Sequence, residues 1–84
     1  MFYKLKNIIP LPDYSLIAQF ENNEKRKYDI KNLINELEVF KALMYIPGLF
    51  EQVKVDSGGY GISWNDELDL SCNELYYNGI SVDY

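Results

Sequence analysis

The chain contains no histidine and only one cysteine, Cys72. The absence of histidine excludes histidine-based triads and most zinc hydrolases, and a single thiol can form neither an internal disulfide nor a four-cysteine zinc site. The dipole of a predicted helix would lower the pKa of the Cys72 thiol, but the neighbouring Asp69 and Glu74 oppose thiolate formation and no histidine can activate it. We therefore predict that the protein is not an enzyme and has no catalytic residue, cofactor or metal site.

Long apolar runs are also missing. No stretch approaches the eighteen or so residues of a membrane-spanning helix, and residues 1–6 lack the basic and apolar segments of a secretory signal. The 84 residues are 48% hydrophobic and 25% charged, which is an ordinary globular mixture. We expect a cytoplasmic protein that does not contact a membrane and consists of a single domain, residues 1–84.

Basic residues are absent from the last third of the sequence. Residues 56–84 contain six acidic side chains and no basic one, whereas residues 1–55 contain eight basic and seven acidic side chains. Such a segment repels nucleic-acid phosphates and attracts basic proteins or cations, so we expect no direct binding of nucleic acid. The simpler alternative is a solvated acidic surface that keeps the protein soluble.

Apolar periodicity predicts an α+β fold, with a small antiparallel sheet of about four to five strands. Residues 3–9, 14–21, 25–29, 52–55 and 60–64 have the alternation of strands. Between the third and fourth strands, a helical spacing predicts a buried stripe in one helix or two short helices; its residues are Leu33, Ile34, Leu37, Phe40, Leu43 and Met44.

A short C-terminal helix is predicted over residues 72–77. Ser71 and Glu74 have the spacing of a capping box, in which each side chain bonds the backbone N–H of the other residue. Asn78-Gly79 is a typical helix end, and residues 80–84 fit either a short strand or a tail.

Several segments together resemble the bacterial domain of unknown function 2442 family over residues 3–79. They are Pro10-Leu11-Pro12-Asp13-Tyr14, a strand ending in Phe20, the pair Phe40 and Leu43, Leu49-Phe50, Val53, the stretch from Gly59 to Ser71 around Trp64, and Glu74-Leu75-Tyr76. The sequence departs from the family's frequent glycine in its first turn, Asn22-Asn23-Glu24, and has Tyr76 where many relatives have tryptophan.

The resemblance implies a fold like the N-terminal domain of a Nitrosomonas protein of unknown function. Some relatives carry this domain ahead of a helix-turn-helix domain, and others stand alone beside a second small gene in pairs of the toxin–antitoxin type. We expect this chain to be of the standalone kind. The family offers no catalytic residues to carry over.

Our leading hypothesis is a protein-binding module that occludes a basic partner protein, in the manner of an antitoxin whose toxin is encoded by the adjacent gene. The predicted partner-binding surface combines carboxylates with tyrosines, which are enriched at interfaces. Its residues are Tyr60, Asp66, Glu67, Asp69, Glu74, Tyr76 and Tyr77.

Two alternatives belong to other classes. One is a ligand-sensing or regulatory domain with a concave apolar pocket near the hairpin that the predicted strands 52–55 and 60–64 would form. The other is an inhibitor that mimics nucleic acid with its carboxylates. A homodimer formed by pairing of exposed strand edges is a further expectation.

Overall fold

The computed structural model describes residues 3–83, and an antiparallel meander opens it. The meander consists of β1 (Leu5–Pro10), β2 (Ser15–Phe20) and β3 (Lys25–Asp29). Asn23 adopts the positive φ of 71° that its turn needs, and its N–H donates to the Phe20 carbonyl at 2.9 Å. The first three predicted strands are confirmed.

The helical region that follows is broken into short pieces. They are α1 (Lys31–Glu36), a 3-10 turn (Glu38–Lys41), α2 (Ala42–Tyr45) and, after Pro47, a second 3-10 turn (Phe50–Gln52). Leu37 separates the first two pieces because its backbone is extended, with φ −119° and ψ 114°. Of the two alternatives, two short α-helices are therefore correct, with a 3-10 turn between them.

The predicted apolar stripe is only partly buried. Ile34, Phe40 and Leu43 are in the core, but Leu37 and Met44 are 47% and 46% exposed. The prediction of a buried Leu37 and Met44 is wrong because it assumes one helical period throughout. The extended residue and the 3-10 turn rotate the later side chains relative to α1.

A second antiparallel sheet contains β4 (Lys54–Val55), β5 (Gly61–Ser63) and β6 (Asp69–Ser71), in that order. The turn between β4 and β5 has positive φ at Gly58 and Gly59, a conformation that glycine adopts without strain. A side chain at Gly59 would lie 2.8 Å from the Leu5 carbonyl oxygen, so this glycine lets the turn approach β1 closely. Strand β6 was not predicted.

The chain ends with α3 (Cys72–Asn78) and β7 (Ile80–Ser81), which pairs with β3. The Ser71 hydroxyl accepts the Glu74 N–H at 3.1 Å, so one half of the capping box is confirmed. The other half is wrong, because the Glu74 carboxylate accepts hydrogen bonds from Tyr28 and Asn78 instead. Strand β7 accounts for part of the predicted 80–84 segment, and residue 84 lies outside the described residues.

One buried cluster connects both sheets and the helices. Trp64 is 4% exposed, and its indole N–H donates to the Phe50 carbonyl at 3.0 Å. Leu16 and Phe20 from the first sheet, and Leu75 from α3, lie in the same cluster. The α+β class is confirmed, with the antiparallel strands divided between a four-stranded and a three-stranded sheet within residues 3–83.

Candidate functional site

A shallow groove crosses the outer side of the β4–β5–β6 sheet. Its volume is about 390 Å³. The residues that line it are Asp56, Ser57, Tyr60, Gly61, Asp69, Leu70 and Ser71. Antiparallel pairing places Gly61 opposite Ser71 and Ser63 opposite Asp69, so residues from three chain segments meet here. We call this the hairpin groove.

Two residues of the predicted surface, Tyr60 and Asp69, lie in the hairpin groove. Asp56 is a third, which the sequence reasoning did not select. The Ser63 hydroxyl donates to the Asp56 carboxylate at 2.6 Å and fixes its orientation. A signal was present in the sequence, because Asp56 and Tyr60 flank the Ser57-Gly58-Gly59 turn and must therefore lie close together.

Asp66 and Glu67 occupy the exposed turn that joins β5 to β6. The Asn65 side chain accepts the N–H groups of Glu67 and Leu68, each at 2.9 Å, and so holds this turn without using either carboxylate. Within residues 3–83, Asp66, Glu67 and Asp69 form no ion pair. Their carboxylates therefore face solvent without a direct ion pair, although exposed Lys54 lies on the same sheet face as Asp69, on the far side of Ser63.

Glu74 lies in a different groove, between α1 and α3. This groove has a volume of about 440 Å³. Its lining residues are Tyr28, Asp29, Asn32, Leu33, Glu36, Glu74, Asn78 and Ile80. The Tyr28 hydroxyl donates to Glu74 at 2.8 Å, and burial together with this carboxylate raises the pKa of Tyr28. Glu74 thus connects α3 to β3, and it does not lie in the hairpin groove with Asp56 and Asp69.

Tyr76 and Tyr77 separate as neighbours on a helix must. The Tyr76 ring stacks on Tyr3 with centroids 3.6 Å apart, and the Arg26 guanidinium lies 3.9 Å from the Tyr76 ring centroid. Tyr77 is 64% exposed and meets Tyr3 edge-on. Tyr60 is also more than half exposed, with the Lys4 ammonium 5.2 Å from its ring centroid. Of these tyrosines, Tyr60 and Tyr77 can offer most surface to a partner.

Cys72 is part of the packing beneath the hairpin turn. Its buried thiol donates to the Gly59 carbonyl at 2.8 Å. Burial raises the pKa of the thiol, and the charge of Asp56 adds to this effect. The dipole effect of the short α3 helix is outweighed, so the thiol is less acidic than an ordinary cysteine. Among residues 3–83, no group of three or more carboxylate and thiol side chains is placed to hold a metal ion.

Within the described part of the chain, every helix is too short or too polar to cross a bilayer. No curated protein and no solved structure is significantly similar to the chain. The family model described as "Protein of unknown function (DUF2442)" matches residues 5–81, nearly the whole sequence. The chain therefore belongs to the DUF2442 family.

Proposed function

We propose that this chain is a non-enzymatic, cytoplasmic protein-binding module of bacteria that docks a basic protein on its acidic hairpin surface. This surface is defined by Asp56, Tyr60, Asp66, Glu67 and Asp69. The main observation in support is that the last three carboxylates are exposed and form no ion pair within residues 3–83. Unpaired charge of one sign attracts a partner of the opposite sign.

Tyr60 supplies apolar surface, which the carboxylates lack. Its ring is 53% exposed at the mouth of the hairpin groove, so a partner would bury a large apolar group there. Aromatic rings next to carboxylates suit an arginine, whose guanidinium can pair with a carboxylate while it stacks on a ring. In this mechanism the carboxylates accelerate encounter, and burial of Tyr60 then slows dissociation.

The partner that we propose to test first is the product of the adjacent gene, which the chain would occlude as an antitoxin does. Co-expression of both chains followed by native mass spectrometry should yield a stoichiometric complex. A reproducible lack of association with this product would contradict the antitoxin role.

The acidic hairpin surface is tested by reversing two of its charges. The variant Asp66→Lys/Asp69→Lys should form less complex at equal protein concentrations. The control Glu21→Lys/Glu51→Lys changes the net charge equally at exposed residues that do not line the hairpin groove. Equal losses in both variants would show that net charge, and not this surface, governs binding.

A ligand-sensing domain is the second candidate. A mainly apolar cavity of about 170 Å³ lies beside the hairpin, lined by Tyr3, Tyr60, Ser71, Cys72 and Asn73. Sites for small ligands usually have about 300–1,000 Å³, so this cavity supports the sensing role less than the exposed carboxylates support protein binding.

A further inference from the structure

Five apolar side chains are exposed within one ten-residue segment of the helical region. They are Leu37 (47%), Val39 (48%), Met44 (46%), Tyr45 (71%) and Ile46 (47%). We call them the apolar strip. The segment runs from the extended residue before the first 3-10 turn to the residue after α2, and it shares no residue with the acidic hairpin surface.

The exposure of the strip follows from how this segment packs. Phe40 and Leu43 point inward and are 6% and 1% exposed, so they already fill the space between the segment and the sheets. The strip residues are exposed along the remaining surface of the segment. Together these five side chains expose on the order of 500 Å².

The charges beside the strip decide what can cover it. Glu38 and Lys41 lie within the same segment and form an ion pair with 3.1 Å between Nζ and Oε2. The segment from Leu37 to Ile46 is therefore electrically neutral, whereas the whole chain has a net charge of −5. Two copies of an acidic chain repel each other over most of their surfaces, but this repulsion is small where two neutral segments meet.

We propose that the apolar strip binds the strip of a second copy of this chain in a two-fold symmetric dimer. Such an interface is isologous, because each copy contributes the same residues. The segment also contains one charge of each sign. In a two-fold dimer, Lys41 of one copy can face Glu38 of the other copy. A strongly basic partner would find no net attraction here and would bind at the acidic hairpin surface instead. The dimer thus adds to the proposed function and does not depend on it.

Sedimentation velocity and native mass spectrometry of the full chain over increasing concentration test the dimer. We expect a reversible monomer–dimer equilibrium, since two strips can bury at most on the order of 1,000 Å² in total, below the standard size of specific interfaces. A chain that stays monomeric up to about 1 mM, the weakest affinity of interest, would overturn the proposal.

A matched pair of substitutions locates the interface. Ile46→Glu in the strip should raise the dimer dissociation constant at least about tenfold, because it buries a charge against its own copy. Ile80→Glu is the control, since Ile80 is 73% exposed on β7 and outside the strip. Equal effects of the two substitutions, or no effect of Ile46→Glu on a folded chain, would overturn the assignment.

A charge exchange tests the two-fold arrangement and uses exposed side chains that do not contribute to the core. Lys41→Glu and Glu38→Lys should each weaken self-association, because each variant places two like charges on the segment. A mixture of the two variant chains should form the heterodimer preferentially, at least about tenfold above either homodimer. A mixture without this preference would contradict the proposed pairing, even if Ile46→Glu fails to fold.

Discussion

Residues 3–55 and residues 56–83 differ in how far their charged side chains are paired. The four ion pairs found within the described chain all lie between residues 13 and 41; they are Arg26–Glu24, Lys27–Asp13, Lys31–Asp29 and Lys41–Glu38. Beyond residue 55, Asp56 and Glu74 accept hydrogen bonds from neutral side chains, and the turn carboxylates face solvent. The first region balances much of its charge internally, whereas the second presents charge outward. This difference indicates which region is suited to a charged partner.

Three side chains join the two regions across what we call the seam. Trp64 donates to the Phe50 carbonyl, Arg26 donates to the Tyr76 carbonyl, and Tyr28 donates to Glu74. Because each contact links residues from both regions, these three hydrogen bonds hold residues 56–83 against residues 3–55. Substitutions in the seam test how strongly the contacts between the two regions stabilise the fold. Substitutions of charged residues test whether carboxylates are paired in residues 3–55 and unpaired in residues 56–83.

The largest expected effect comes from Trp64→Ala. Its ring packs near Phe40 and Phe50, with centroids 6.1 and 6.4 Å away, so truncation leaves a cavity between the two regions. We expect the free energy of unfolding to fall by about 3–5 kcal/mol in urea denaturation. Tyr45→Ala, at a 71% exposed ring, is the control and should cost less than about 1 kcal/mol. Similar costs would mean that the seam is not a core contact.

Arg26→Met should have the next largest effect. Its guanidinium donates to the Tyr76 carbonyl at 2.8 Å and to Glu24 at 2.7 Å, and it lies over the Tyr76 ring. We expect a loss of about 2 kcal/mol in the free energy of unfolding, since hydrogen bonds of charged groups contribute more than neutral ones. The control Lys27→Met removes a longer, more exposed pair and should change stability by about 0.5 kcal/mol or less. A loss as small for Arg26→Met would argue against a rigid seam.

Tyr28→Phe should cost about 1 kcal/mol at neutral pH, because it removes one hydrogen bond to Glu74. Burial raises the pKa of Tyr28 in the folded state, so its contribution is complete below the unfolded pKa near 10.0 and is lost as the pH rises above it. The gap between the parent chain and the variant should therefore narrow in alkaline denaturation series. Tyr45→Phe is the control ring, and a gap that does not change with pH would contradict this role of Tyr28.

The smallest expected effects contrast the two regions directly. Glu38→Gln removes a carboxylate paired with Lys41 and should lower the free energy of unfolding by about 0.3 kcal/mol. Asp66→Asn removes an unpaired one and should leave stability unchanged or raise it by a similar amount, since it relieves repulsion within an acidic segment. Precise thermal melts at low salt would resolve the signs. If both substitutions lowered the free energy of unfolding, the proposed difference between paired and unpaired carboxylates would be contradicted.

Much of the fold could be predicted because its signals are local. The strand character of β2, the positive φ at the Asn23 turn and the Ser71 cap depend on neighbouring residues, although β2 is buried on both faces. Strand β6 could not be found in the same way, since its three residues are too few to show a period and it forms by pairing with β5. The exposure of Leu37 and Met44 was missed because one extended residue changes the orientation of all later side chains.

The sequence predicted most of the residue types of the candidate site, but it predicted their positions relative to one another less well. Charge counting identified Asp66, Glu67 and Asp69; all three are exposed, and Asp69 lies in the hairpin groove with Tyr60. Glu74 could not be separated from them by sequence, because the Tyr28 hydroxyl that it binds is 46 residues away along the chain. Asp56 was not selected, although its position directly before the Ser57-Gly58-Gly59 turn places it close to Tyr60.

The central claim is that the unpaired carboxylates near the hairpin steer a basic protein to this chain. Its most direct test is the association rate constant with a confirmed partner, measured by stopped flow from low to high salt. The account predicts that Asp66→Lys/Asp69→Lys slows association most at low salt, and that the difference disappears as salt screens the charges. An association rate at low salt that is unchanged by these two substitutions would contradict it.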